Sequence, residues 1–180
     1  MFAFLKKIYW HFQSKEKYAR SLGVVIGKDC FIDTRLWPSE PYLIQIGNRV
    51  QITKNVAFFT HGGTHVLRSE IPDFDVFGRI IIKDGAYIGA YTLLMPGVVI
   101  GENSIVAAGS VVTHSVPDHV VAGGNPARII CTVEEYKEKI KQYNFHTYGL
   151  SYDSKRKEIL SKTPEKFIRK SEMQPGRKKT

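Results

Sequence analysis

The sequence predicts an all-β solenoid, a coil of short parallel strands, and three observations lead there. Aliphatic residues recur every six positions without a break at Ile82, Ile88, Leu94, Ile100, Val106 and Val112. Four residues after each of these stand Ala86, Thr92, Val98, Ser104, Ser110 and Val116, all small or β-branched. Glycines, Pro96 and Asn103 punctuate the stretch in a way that suits corners and not one continuous strand. A period of six matches neither the 3.6 of a helix nor the 2 of an ordinary strand. It fits a triangular coil: each flat side takes one hexapeptide, three sides make a turn, and stacked turns bury a column of aliphatic side chains. Gly89 and Gly101, directly after an aliphatic residue, are expected to supply backbone conformations that other residues resist.

Earlier in the chain the same pattern runs through Val25-Ile26-Gly27-Lys28-Asp29-Cys30, then from Ile46-Gly47-Asn48-Arg49-Val50-Gln51 to Ile52 and Phe58. The coil is therefore expected over residues 23–131. Its phase is lost between Phe58 and Ile80, where Gly62, Gly63, Pro72, Gly78 and charged residues replace the repeat, so a loop is expected to leave the coil at 59–80.

Residues 1–22 read as an amphipathic helical cap. Phe2, Phe4, Leu5, Ile8, Tyr9, Trp10 and Phe12 mix with Lys6, Lys7, Lys15, Lys17 and Arg20, a composition suited to covering the open end of a solenoid. The same residues 1–20 suit a peripheral contact with a membrane interface. After the coil, Thr132-Val133-Glu134-Glu135 reads as a capping box, with Val133, Tyr136, Ile140 and Tyr143 following at helical spacing. Residues 132–180 are expected to form a C-terminal helix and a basic tail.

With 180 residues, 43% of them hydrophobic, the chain supports one sizeable core with appendages. Its net charge of +9 would suit a binder of nucleic acid. The surplus is not in the body, however: residues 151–180 hold ten Lys or Arg against four Asp or Glu, which accounts for six of the nine charges. Nucleic acid is not an expected partner. Cys30 and Cys131 stand a hundred residues apart and form neither a disulfide framework nor a metal cluster, which suits free thiols in a reducing cytoplasm. No run of eighteen apolar residues occurs, and Lys6 and Lys7 interrupt the N-terminal Met-Phe-Ala-Phe-Leu before a secretory core forms. A cytoplasmic protein is expected, with any membrane contact at the inner face.

Three stretches carry a family resemblance: Ser39-Glu40-Pro41-Tyr42-Leu43-Ile44, then Phe59-Thr60-His61-Gly62-Gly63-Thr64-His65-Val66-Leu67-Arg68, and the run from Ile88 through Gly123-Gly124-Asn125-Pro126-Ala127-Arg128. Over about residues 23–132 the chain resembles the hexapeptide-repeat acyltransferases, specifically the group containing maltose, galactoside and capsular or exopolysaccharide O-acetyltransferases. The resemblance implies a left-handed parallel β-helix, a homotrimer, and acetyl-CoA lying in the groove between neighbouring subunits. It also implies an acetyl-CoA-dependent O-acetyltransferase acting on a sugar hydroxyl of a polysaccharide or lipopolysaccharide precursor.

Transfer of an acetyl group to a hydroxyl requires a group to take the hydroxyl proton, and neutral imidazole serves near pH 7. His61 falls where the coil gives way to the loop and matches the family's catalytic position, whereas His65 reads as an ordinary loop residue. Asp33 and Glu40 are the candidates for binding the acceptor or orienting the base. Position matching to the family places Ala90, Ala108, Thr113, His114 and Arg128 along the acetyl-CoA slot. Two departures stand out: relatives often carry Ser where Ala90 stands and Lys where His114 stands. The first points to a backbone N–H, not a hydroxyl, at the developing oxyanion. No covalent intermediate and no metal are needed. The competing readings are N-acetylation of an amino-sugar or small amine, and a non-catalytic scaffold on the same coil.

Overall fold

The computed structural model describes residues 13–172, in two units, 13–134 and 135–172. Most of the expected N-terminal amphipathic segment, residues 1–12, lies outside the described residues.

The first unit is built from three parallel sheets that the chain visits in rotation. The first sheet holds β1 (Val25–Ile26), β3 (Ile44–Ile46), β6 (Ile80–Ile82) and β9 (Val99–Ile100). The second holds β2 (Phe31–Ile32), β4 (Gln51–Ile52), β7 (Tyr87–Ile88), β10 (Ile105–Val106) and β12 (Val120–Gly124). The third holds β5 (Ala57–Phe58), β8 (Leu93–Leu94) and β11 (Val111–Val112), with Leu36 joined to Ala57 by a single parallel bridge. Register is exact to the hexapeptide. Ile52 pairs with Ile88, Ile88 with Val106, and Phe58 with Leu94, so like positions stack from rung to rung.

The six-residue column is the core. Ile88, Leu94, Ile100, Val106 and Val112 are completely buried, and the small residues four positions on are buried as well. Their hydroxyls do not need water: Thr92 donates to the Gly89 carbonyl at 2.7 Å, Ser104 to Pro117 at 2.6 Å and Ser110 to Ala107 at 2.6 Å. A buried hydroxyl with a backbone partner turns the corner without an unsatisfied polar group.

Glycine acts differently from the expectation. Gly89 and Gly101 do not have positive φ; a Cβ on either would collide with the backbone of the next rung, at Ala107–Ala108 or Pro117–Asp118. The left-handed conformation occurs elsewhere at the corners, at Arg49, Gly85, Asn103 and His119 on one edge and Asn55, Tyr91 and Gly109 on another. Close stacking, not backbone freedom, selects glycine after the aliphatic residue.

Two features lie outside the hexapeptide period. The coil ends in an antiparallel hairpin, β12 with β13 (Ala127–Thr132), turned through the cis Asn125–Pro126 bond. This pairing covers the edge that β12 would otherwise leave open. At the other end, helix α1 (Lys15–Ser21) is started by the Ser14 hydroxyl, which accepts from Lys17 N–H. It packs on the first rung through fully buried Ala19, and Arg20 donates to the Gly27 carbonyl at 2.7 Å.

The second unit continues helix α2 (Val133–Ile140) and adds helix α3 (Tyr152–Leu160), whose N-terminus is capped by Ser151. Phe145 packs on Phe167 with ring centroids 5.1 Å apart, and no residue of either helix is buried. Among the described residues, no helix is long and apolar enough to cross a membrane.

Candidate active site

The rotation through three sheets makes three edges, and every candidate residue except Arg128 belongs to one of them. Glu40 lies between Leu36 and β3, His61 follows β5, and Thr113 and His114 follow β11, so all four stand on the edge from the third sheet to the first. Asp33, Ala90 and Ala108 follow β2, β7 and β10, and stand on the edge from the second sheet to the third. Arg128 lies on β13.

The first of these edges brings a histidine and a carboxylate into contact. His61 Nδ1 is 2.8 Å from Glu40 Oε2, and the same oxygen accepts from the Thr60 hydroxyl at 2.7 Å. Hydrogen bonds from Thr60 and then from His61 hold the Glu40 carboxyl below the ordinary carboxylate range, so it is ionised at neutral pH. An ionised carboxylate only accepts, so Nδ1 is the nitrogen that donates to it, and in the neutral imidazole Nε2 is then the acceptor. Glu40 is largely buried, with 15% of its side chain exposed, while His61 at 39% is open to an incoming ligand.

Local structure explains the placement. Glu40 precedes a 3₁₀ turn, Pro41–Leu43, that brings the chain round from the first rung to β3 directly beside the second-rung corner. The loop leaves after His61 and passes through a second turn, Thr64–Leu67, entered at Gly63 with φ +73°. Arg68 then holds its far side, donating to the Phe74 carbonyl at 3.1 Å and pairing with Asp75 at 3.5 Å. Gly78 closes the base by donating its N–H to the Thr60 carbonyl at 2.7 Å. Phe77 therefore meets the His61 ring edge to face, centroids 5.6 Å apart. His65 sits exposed in the Thr64–Leu67 turn.

Two cavities open along this edge. One of about 380 Å³ adjoins His61 and is walled by Leu36, Trp37, Phe58, Phe59 and Thr60; Trp37 stacks on Phe58 with centroids 4.7 Å apart. The other, about 360 Å³, lies two rungs on and is lined by His114, Pro117, Ala122 and Arg128. Stacked strands are about 4.8 Å apart, so two rungs separate His61 from His114 by roughly 10 Å. Thr113 Oγ1 pairs with His114 Nδ1 at 2.9 Å, and the Arg128 guanidinium donates to the Ala127 carbonyl at 2.8 Å.

The other edge is separate within one chain. Asp33 is paired with Lys15 of helix α1, whose ammonium also lies 3.4 Å from the Asp33 carbonyl, and it stands on a different edge from His61. Of the two acidic candidates, the structure brings Glu40 to the histidine and leaves Asp33 on another edge. Ala90 stacks over the Ala108 rung, its carbonyl accepting from Gly109 N–H at 2.8 Å. Thr60 and Phe77 complete the histidine's surroundings although neither was singled out from the sequence. Thr60 adjoins His61 in the chain, but its contact with Glu40 follows from rung stacking, and Phe77 arrives only because the loop closes.

Residues 79–114 match the bacterial transferase hexapeptide family model, described as six repeats. Protein CapG of Staphylococcus aureus is 44% identical over 154 residues, covering 83% of this chain and 90% of that protein. Galactoside O-acetyltransferase of Escherichia coli K12 is 35% identical over 130 residues, 70% of this chain and 61% of that enzyme. The hexapeptide-repeat acetyltransferase VCA0836 of Vibrio cholerae, solved with acetyl coenzyme A, superposes with a TM-score of 0.55 at 32% identity, over 61% of this chain and 60% of that one. The chain belongs to the hexapeptide-repeat acetyltransferase family.

Proposed function

We propose that the protein transfers an acetyl group from acetyl-CoA to a hydroxyl of a sugar-like acceptor, with His61 as general base. The observation that carries this reading is the His61–Glu40 contact: it fixes the proton on Nδ1 and leaves Nε2 as the acceptor, at the mouth of a cavity. Nε2 takes the acceptor's hydroxyl proton as its oxygen attacks the thioester carbon. The C–S bond then breaks, and the proton on Nε2 passes to the departing thiolate. A backbone N–H at the Ala90 corner steadies the oxyanion. The edge running from His61 past Thr113 to the cavity lined by His114, Ser115 and Arg128 is the track for the extended arm and phosphates of acetyl-CoA.

Ala90 and Ala108 lie on a different edge from His61, so one chain does not hold all of these groups together. A homotrimer of left-handed coils, each presenting one edge to its neighbour's other edge, would do so. Asp33 would then reach the acceptor from the neighbouring subunit.

The test is to incubate the protein with acetyl-CoA and a panel of sugars and nucleotide-sugars, amino-sugars included, and to follow thiol release. A hydroxyl acceptor is expected to release CoA, and His61→Ala is expected to lose on the order of a hundredfold or more of the rate, the scale of a positioned base. Release only with amine acceptors makes the reaction N-acetylation. No release with any acceptor, and no binding of acetyl-CoA, would overturn the enzyme reading in favour of a scaffold.

A further inference from the structure

Resting on the reading of His61 as base, we propose that Thr60 is a positioning residue of the reaction: its hydroxyl locks Glu40, and through Glu40 the tautomer of His61, while its carbonyl ties the same assembly to the loop that carries Phe77.

The hydroxyl breaks the pattern of its position. Thr34, Thr92, Ser104 and Ser110 are buried corner residues like Thr60, and each donates to a backbone carbonyl, as the corner requires. Thr60 is just as buried, but its hydroxyl proton goes to a side-chain carboxylate across a rung, at 2.7 Å. A hydroxyl has one proton to donate, so this one is committed to Glu40. Both Thr60 and His61 meet the same oxygen, Oε2. That shared contact fixes where the oxygen sits and hence the direction from which Nδ1 is approached.

The main chain of Thr60 does the second half. Its carbonyl accepts from Gly78 N–H at 2.7 Å, and Gly78 lies so flat on the Pro96–Gly97 corner that a Cβ there would collide with that backbone. Gly78 has one seat, and that seat places Phe77 against the imidazole. His61 is thus bounded by Glu40 at one nitrogen and by Phe77 at its ring, and Thr60 touches the anchors of both, Glu40 through its hydroxyl and Gly78 through its carbonyl. A displaced loop base would be felt at Oε2 through one residue.

Thr60→Val preserves the shape of the side chain and removes the donor. It is expected to lower kcat by on the order of tenfold, a fraction of what the base itself supplies, with the acceptor KM changed less than about twofold and with Thr60→Ser restoring kcat. Ser104→Ala, which removes a buried hydroxyl on the edge that carries no site residue, serves as the stability control and keeps the full kcat per folded molecule. A second reading needs no substrate: long-range ¹H–¹⁵N NMR of histidine-labelled protein should show His61 as the Nδ1–H tautomer in the parent and a mixture in Thr60→Val. An unchanged tautomer overturns the proposal, whatever the rate. A changed tautomer with a rate loss no larger than that of Ser104→Ala upholds the positioning of His61 and overturns its role as general base. If Thr60→Val does not fold, Thr60→Ala is read by the same two measurements.

Discussion

Glu40 shows how much one carboxylate contributes to a single imidazole. Its charge is held by the Thr60 hydroxyl and the His61 ring, and its side chain is only partly exposed to water. An ionised carboxylate can only accept, which decides the tautomer; an amide in the same shape can also donate, and would no longer force Nδ1 to carry the proton. Glu40→Gln is therefore expected to lower kcat by on the order of tenfold, part of the contribution of a positioned base, while leaving acetyl-CoA affinity unchanged. Steady-state kinetics together with direct titration of acetyl-CoA checks both halves. A fall in acetyl-CoA affinity equal to the fall in rate would instead place Glu40 in the cofactor track.

The element that repeats is a corner, and the edge from the first sheet to the second shows how corners are joined. Asn48 donates its backbone N–H to Asp84 Oδ1 and its side-chain amide to Asp84 Oδ2, both at 2.9 Å, while its own Oδ1 accepts from Lys28 N–H at 2.9 Å. Three rungs are thereby stitched along one line. Gly47 is part of the device, since a Cβ there would strike the Asp84 carboxylate. The side-chain bond from Asn48, and after it the backbone bond, hold the Asp84 carboxyl below its ordinary range. A group whose folded-state pKa is depressed stabilises the fold above its unfolded value and loses that contribution as pH falls through the folded value. Asp84→Asn should accordingly lower the unfolding temperature at pH 7, and the gap from the parent should narrow as pH drops below about 4. A gap that stays constant with pH would mean that Asp84 acts through shape alone.

At the scale of the whole molecule the question is whether one chain is a complete enzyme. His61, Thr113 and His114 share one edge while Asp33, Ala90 and Ala108 share another, and the coil keeps the two apart. If the active site is built between copies, a chain spoiled on one edge and a chain spoiled on the other can complement each other. His61→Ala and Ala90→Arg, each inactive alone, are expected to regain activity when unfolded and refolded together, and sedimentation should show a particle of three 20.4 kDa chains. Mixtures no more active than their parts would place the site within a single copy.

What the amino-acid sequence determined by itself was everything that depends on the period. The column from Ile82 to Val112 is legible because a three-sided coil with one inward residue per side repeats every six residues, and each of those side chains is 0–1% exposed in the fold. The loop between Phe58 and Ile80 is legible for the same reason, as a loss of phase, and His61 is legible from the motif at the point where the loop departs. Tertiary structure decided what the period cannot encode. It separated Glu40 from Asp33, because twenty-one residues of chain bring Glu40 back one rung from His61 whereas Asp33 stops a corner short. It gave Gly89 and Gly101 their real role, since a clash with the next rung exists only once rungs are stacked. The closing hairpin of β12 and β13 reverses chain direction and so falls outside any parallel repeat. Thr60 belongs to this class as well: its hydroxyl is no different in sequence from those of Thr92 or Ser110, and only the carboxylate one rung away makes it different.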